Sequence, residues 1–550
     1  MRNKNAPHQN RAKSQQQNPT QFPIALSLHN AGQLDQAAVI YDKILQDNPK
    51  HFDALQLKGV LEIQRNNWEI ALKYLERALL LNNGIPFVYF NKAIALHRLG
   101  RHRDALSQYD KAISIKQDYS EAYCNRGVVL NELQEFQPAL DSLSKAIALN
   151  HSNSEAYYNC GLSLQNLKKT DAALSSYKHA ILLNPGYAEA YNNCGVLLQE
   201  QNLSEDALKH YARAALLKPD YAKAQWNCSI VQLLSGDYEK GWANYEWRWR
   251  TNEIPKHVDR VFSEPLWLGR ESLQGKTILL YSEQGLGDTL QFCRYAKLVA
   301  DQGATVILEI EKPLQNILSG LEGVSQLIVT GDELPNFDFQ CPLMSLPHAF
   351  RTTLETIPTH IPYIKTNSDK VAYWGGKLRP SDKLKIGLVW SGGFRPNHPN
   401  IWSVNERRNI QLQHFSLLKD LDVDLYSLQK GEPAQSDYKL LKATGWDGPN
   451  IIDYTDELND FADTAALIQN LDLIISVDTS TAHLAAALGK PVWILNRFDT
   501  CWRWLLIRDD SPWYPSVKLF RQKNAGDWLE VMTRIKSSLK ELILFTNGSN

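Results

Sequence analysis

The sequence predicts a multidomain protein: an all-helical superhelix of repeated hairpins, then an α/β half in which strands and helices alternate in two series. Three observations carry that expectation. Asparagine recurs at a constant 34-residue spacing, at Asn91, Asn125, Asn159, Asn193 and Asn227. Short β-rich runs begin only near Lys276. Two turns that suit polar chemistry, Glu283–Thr289 and Asp478–His483, follow strands of that second half.

The repeat does not rest on asparagine alone. Ala37, Ala71, Ala105, Ala139, Ala173 and Ala207 keep the same spacing, and Gly241 closes the row. A second small row runs Ala25, Gly59, Ala93, Gly127, Gly161, Gly195, Ser229, and a large row runs Tyr41, Leu75, Tyr109, Leu143, Tyr177, Tyr211, Tyr245. Small residues at fixed places let helices approach, and large ones fill the gaps between hairpins. Pro49, Pro185 and Pro219 stand at the unit junctions, where proline stops a helix. With this register the chain resembles the tetratricopeptide repeat family, with seven units over residues 21–250. Asparagine amides on an inner face match a peptide backbone's C=O and N–H groups. In this the repeat arm is similar to that of protein O-linked N-acetylglucosamine transferases, which implies peptide binding by Asn91, Asn125, Asn159, Asn193 and Asn227.

Composition excludes several classes. The 550 residues carry a net charge of −1, so no broad basic surface for nucleic acid is announced. No apolar run approaches the roughly 20 residues of a membrane helix. The first 20 residues lack the apolar core of a secretory signal and read as a disordered polar tail. A cytoplasmic protein is expected, with at most a peripheral association with membranes. Cys160, Cys194 and Cys228 share one repeat position and read as core side chains, and no C-x-x-C spacing occurs among the seven cysteines.

The repeat decays into GWANYEWRWR, where Trp242, Trp247 and Trp249 are expected to cap the last hydrophobic face. Residues 251–275 read as a connector. Beyond it, TILLYS, TVILEI and SQLIVT form one strand series, and KIGLVW, DLYSL, LDLIISV and PVWIL a second. Strands alternating with helices imply parallel sheets and two Rossmann-like lobes, 276–376 and 377–545. Ligands of such sheets lie beyond the carboxyl ends of the strands.

In the first lobe, Gly285 and Gly287 permit a tight turn and Asp288 opens a helix expected to run through Gln291, Arg294 and Lys297. The residue is either a helix cap or a catalytic carboxylate. In the second lobe, Asp478 leaves a strand, Thr479, Ser480 and Thr481 start a helix, and His483 follows one turn in. Such a helix start suits a diphosphate through its free N–H groups, dipole and hydroxyls. Asp420, Asp422 and Asp424 have metal-motif spacing but read as a solvated turn.

Together with WSGG at 390–393, the pair Arg407 and Arg408, and SLQKGE at 427–432, these motifs are similar to heptosyltransferase-type glycosyltransferases of family 9. The similarity extends over roughly 276–540, and implies a GT-B architecture with the acceptor on the first lobe and the donor on the second. It implies Asp288 as general base, with Glu283 as the weaker candidate. The donor nucleotide sugar then falls to Ser391, Gly392, Arg407, Arg408, Gln429, Lys430, Asp478, Thr479, Ser480, Thr481 and His483. No metal and no cofactor beyond the nucleotide-sugar co-substrate are implied. The first lobe is compact relative to that family and its lysine-bearing phosphate motif is not clear here, which leaves the sugar open. The expected activity is metal-independent sugar transfer to a protein or glycan acceptor. A catalytically silent interaction scaffold and a sugar-nucleotide epimerase of the same fold are the alternatives.

Overall fold

The computed structural model describes residues 21–251, 260–393 and 402–548. The tail expected to be disordered, 1–20, and the connector segment 252–259 with Pro255 lie outside the described residues. Contacts divide the chain into two compact units, Met1–Cys194 and Gly195–Asn550.

Fourteen helices form consecutive hairpins. They are α1 (Gln21–Asn30), α2 (Leu34–Asp47), α3 (Phe52–Gln64), α4 (Trp68–Leu81), α5 (Pro86–Arg98), α6 (His102–Ile115), α7 (Ser120–Glu132), α8 (Phe136–Leu149), α9 (Ser154–Asn166), α10 (Thr170–Leu183), α11 (Ala188–Glu200), α12 (Ser204–Leu217), α13 (Ala222–Leu234) and α14 (Tyr238–Tyr245). The small and large rows meet inside each hairpin. A Cβ added to Gly127 would stand 2.5 Å from Leu143, and one added to Gly161 would stand 2.5 Å from Tyr177. That contact closes the hairpin at the distance only a missing side chain allows. The turn inside each hairpin also repeats. Gly32, Asn66, Gly100, Gln134, Lys168, Asn202 and Gly236 all take positive φ, at the same 34-residue step. Only three of the seven are glycine, so this signal is faint in the sequence.

In the second unit two parallel sheets follow the repeats. The first has the order β3-β2-β1-β4, from β1 (Thr277–Tyr281), β2 (Thr305–Ile310), β3 (Gln326–Val329) and β4 (Phe339–Pro342). The second has the order β10-β9-β8-β5-β6-β7, from β5 (Leu384–Val389), β6 (Val423–Ser427), β7 (Ile451–Asp453), β8 (Leu473–Val477), β9 (Val492–Asn496) and β10 (Val517–Arg521). The helices between them are α15 (Leu286–Phe292), α16 (Tyr295–Ala300), α17 (Gln315–Leu318), α18 (Leu346–Ala349), α19 (Ser368–Lys377), α20 (Trp402–Arg408), α21 (Ala434–Thr444), α22 (Phe461–Gln469), α23 (Ser480–Ala487) and α24 (Trp528–Gly548). In each sheet the strand order reverses beside an early strand, between β1 and β4 and between β5 and β8. Such reversals open the crevices in which α/β sheets bind ligands.

The helix expected to run unbroken through Arg294 and Lys297 stops at Phe292 and restarts at Tyr295. Arg294 accounts for the break. Its buried guanidinium donates to Gln291 O at 2.8 Å, Trp513 O at 2.8 Å and Pro358 O at 3.0 Å. A cation so placed satisfies carbonyls that the helix and loops leave open.

The last hairpin is part of the core of the second unit. Leu233, Tyr238, Trp242 and Tyr245 share one buried cluster with Phe292, Tyr295, Trp502 and Trp513. Trp242 meets Trp502 edge-on at 5.2 Å, and Trp513 Nε1 donates to the Tyr238 hydroxyl at 3.1 Å. Trp242 therefore seals the array against the lobes rather than against water. Among the described residues no helix is long and apolar enough to cross a membrane.

Candidate active site

After β1 the chain turns through Gly285 into α15, where Asp288 closes a capping box. Asp288 Oδ2 accepts from Gly285 N at 2.8 Å. Its other oxygen pairs with Arg503, which lies 215 residues away in the tryptophan-rich 3-10 turn Trp502–Trp504. Arg503 also donates to Gln291 Oε1 at 2.8 Å and stacks 4.2 Å over Trp502. An ionised carboxylate offers about four lone-pair sites, so these two bonds leave acceptor capacity on Asp288, whose side chain is 21% exposed.

Glu283 takes a different part. Its side chain is fully buried, in a bidentate pair with Arg248 at 2.9 and 3.0 Å, and it accepts from Met344 N at 3.2 Å. Burial pushes its pKa up to about 7, against the opposing pull of Arg248. Arg248 also holds Ser345 Oγ at 2.7 Å and Glu246 at 2.7 Å. Glu283 thus joins the end of the repeats to the first lobe, its carboxylate held by Arg248 and the Met344 N–H.

The second lobe contributes the start of α23. Thr479 caps it, accepting from Ala482 N at 3.4 Å and lying 3.0 Å from Ser476 Oγ. Ser480 and Thr481, partly exposed, occupy its first turn. His483, buried, places Nε2 3.6 Å from Asp478 Oδ1 and Nδ1 3.0 Å from the Tyr514 hydroxyl, with its ring stacked on Trp504. Burial would raise the Asp478 pKa. His483, Arg408 and Arg503 outweigh it and hold the carboxyl well below the usual range.

Glycine explains how the lobes meet. A Cβ on Gly287 would stand 3.0 Å from His483 and 3.4 Å from Ser480 Cα, so α15 packs directly against α23. Gly287 of the G-x-G pair thus serves a helix–helix approach as well as the turn. A Cβ on Gly392 would fall 1.9 Å from the Arg408 guanidinium. Arg408 thereby reaches Asp478 O at 3.0 Å and Asn405 Oδ1 at 2.6 Å. Gln429 fixes the loop after β5, its Oε1 accepting from Trp390 N at 3.0 Å and Ser391 N at 2.8 Å. Ser391 Oγ donates to Gly392 O at 3.1 Å.

Other expected residues lie elsewhere. Arg407 turns away from Arg408, to Asp499 at 3.0 Å and Glu200 at 3.3 Å. There it lines a cavity of 300 Å³ with Asn227, Glu200, Arg497, Asp499 and Trp502. Lys430 is exposed and binds Leu458 O. Asp422 pairs with Lys383 at 2.6 Å, while Asp424 lies within β6 rather than in a turn. In the repeats, Asn91 and Asn159 are buried and spend their amides on their own helices, donating to Phe87 O at 2.8 Å and Glu155 O at 2.9 Å. Asn193 lies 3.3 Å and 3.4 Å from the Tyr158 and Tyr177 hydroxyls, and Asn125 is partly exposed beside Tyr109. Sequence reading gave no role to Arg503, Gln291 or Arg248, since nothing local marks Arg503 as the partner of residues more than 200 positions away, or Arg248 as the partner of Glu283.

Residues 28–85, 95–134 and 154–187 match profiles described as TPR or tetratricopeptide repeat, and residues 459–496 match Glycosyltransferase family 9 (heptosyltransferase). The latter segment contains the whole turn from Asp478 to His483. Protein FlbA of Caulobacter vibrioides is 25% identical over 344 residues, which cover 56% of this chain and 54% of that protein. The chain therefore spans about half the length of this curated relative. Among solved structures, YrrB, a TPR protein with an unusual peptide-binding site, is 26% identical, with 34% of this chain and 95% of that chain covered and a TM-score of 0.30. MamA is 21% identical, with 31% and 92% covered and a TM-score of 0.28. The chain thus carries tetratricopeptide repeats followed by a region similar to heptosyltransferase-type glycosyltransferases of family 9.

Proposed function

We propose that the chain is a glycosyltransferase, moving a sugar from a nucleotide-diphosphate donor to a protein or glycan acceptor selected with the help of the repeats. One observation carries this reading: the strand ends of both lobes converge, so that Asp288, paired with Arg503 of the second lobe, and the start of α23 lie on two helices in direct contact. The leaving diphosphate gains negative charge as the sugar departs. The N–H groups and hydroxyls at Thr479, Ser480 and Thr481, with Arg408, meet that charge without a metal ion. Asp288 is the group positioned to take the proton of the attacking hydroxyl. His483 and Asp478 orient the helix start against the sugar or phosphate.

Calorimetric titration with a panel of nucleoside diphosphates tests the donor half. One of them is expected to bind at one site per chain, and Arg408→Ala to weaken it by about 1.5–3 kcal/mol, the worth of a hydrogen bond to a charged group. Unchanged affinity in that variant would remove Arg408 and the adjoining helix start from the donor site.

A further inference from the structure

The third hairpin departs from its neighbours at one corner. His97 stands in the last turn of α5, His102 opens α6 and Glu132 closes α7. One carboxylate oxygen, Glu132 Oε2, lies 2.7 Å from His97 Nε2 and 3.3 Å from His102 Nδ1. The three donor atoms fall within 4.8 Å of one another, and the imidazole centroids are 5.6 Å apart. His102 Nδ1 is buried yet makes no hydrogen bond among the described residues.

The repeat itself supplies the comparison. At the same corner of the first hairpin, His29 Nε2 lies 3.1 Å from Gln64 Oε1, and Leu34 occupies the position of His102. A histidine facing an amide therefore suffices for packing. Elsewhere the His102 position holds Trp68, Phe136, Thr170 and Ser204, and the Glu132 position holds Gln64, Arg98, Asn166 and Glu200. Only the third hairpin combines two imidazoles with a carboxylate.

We infer that His97, His102 and Glu132 form a binding site for a divalent transition-metal ion of the zinc class. Two imidazoles and a carboxylate are ligands such ions accept, at about 2.0–2.2 Å. That bond length sets tetrahedral donor separations of about 3.3 Å, within reach of the present positions by small rotations of three partly exposed side chains. The ion takes the place of the His97–Glu132 hydrogen bond and binds Nδ1 of His102, which makes no hydrogen bond of its own among the described residues. Three protein ligands leave a position for water. The ligands come from three helices, so a bound ion ties one hairpin to the next. The local spacing His-x4-His with a carboxylate 30 residues on has no motif form, which is why the sequence reading assigned no metal.

The test is titration of the full chain with Co²⁺, followed by its visible ligand-field absorption and by displacement with Zn²⁺. The variants His97→Gln, His102→Phe and Glu132→Gln each place here a residue that another hairpin already holds at Gln165, Phe136 or Gln64, so the fold is retained. One Co²⁺ per chain is expected, with affinity falling at least about tenfold in each variant, since even residues behind metal ligands cost that much. Zn²⁺ is also expected to raise the melting temperature of the wild type more than that of the variants. Absence of the Co²⁺ bands would overturn the proposal. Equal affinity and stoichiometry in His102→Phe and Glu132→Gln would do the same, by showing adventitious binding elsewhere.

Discussion

Arg248 ties the end of the repeats to the first lobe. It is fully buried, and its neighbours Glu283, Glu246 and Ser345 come from the repeat end and the first lobe. Removing one partner of a buried pair costs about 3–5 kcal/mol, because the other is left charged in a dry place. Arg248→Met should therefore destabilise the fold by about that amount near neutral pH. The dependence on pH has a definite sign. Glu283 stands at about 7, raised first by burial. A carboxylate raised above its unfolded value of about 4.3 contributes stability that is full below that value and lost as pH rises through its folded pKa. Without Arg248 the rise is larger, so thermal melting should show a deficit that shrinks toward about pH 5 and widens above about pH 7. A deficit independent of pH would mean that Glu283 does not carry the effect.

At the scale of elements, the contact between α15 and α23 sets how closely Asp288 approaches the turn from Asp478 to His483. Gly287 permits it, with His483 only 3.0 Å from where a Cβ would stand. The atom it would meet belongs to a ring packed between Trp504 and Tyr514, so His483 has little freedom to yield. Gly287→Val should leave secondary structure intact while lowering turnover about 100-fold, because displacements near 1 Å at reacting groups cost that much. Circular dichroism beside a turnover assay checks both halves. Wild-type turnover in that variant would remove the helix contact from the mechanism. Elements also show what local sequence hides. Strands β4, FQCP, and β7, IID, escape a β-rich pattern because one ends on proline and the other has three residues. The left-handed residue of each hairpin turn is equally quiet, since Gln134 and Lys168 fill it as Gly32 does.

For the whole molecule, the division of the chain differs from the division of its sequence patterns. The repeat ends near residue 250, yet the second compact unit begins at Gly195 and takes the last hairpin into its core. A fragment of residues 188–550 should therefore melt cooperatively, whereas 252–550, which exposes Phe292, Trp502 and Trp513, should aggregate or melt without a transition. Cooperative melting of the shorter fragment would show that the last hairpin is dispensable. The repeat was legible because it recurs, and the two strand-end turns because the glycine turn before Asp288 and the Asp478 turn each come straight after an apolar run. Their connection was not legible. Arg503 meets Gln291 and Asp288 only when both lobes are folded, and the opposite turns of Arg407 and Arg408 depend on partners far along the chain, Asp499 and Glu200 for one and Asp478 for the other. The asparagine ladder shows the limit from the other side, since Asn91 and Asn159 keep the expected period yet bond to their own helices.

Sugar transfer with Asp288 as the proposed base is checked by measuring sugar incorporated from a panel of labelled nucleotide sugars into acceptors of a cell extract, for wild type and Asp288→Asn at saturating donor. Transfer by the wild type is predicted with one donor class, and a fall of about 10²–10⁴-fold in the variant, with nucleoside-diphosphate affinity retained. Equal transfer by both proteins, or none by the wild type with any donor, would contradict it.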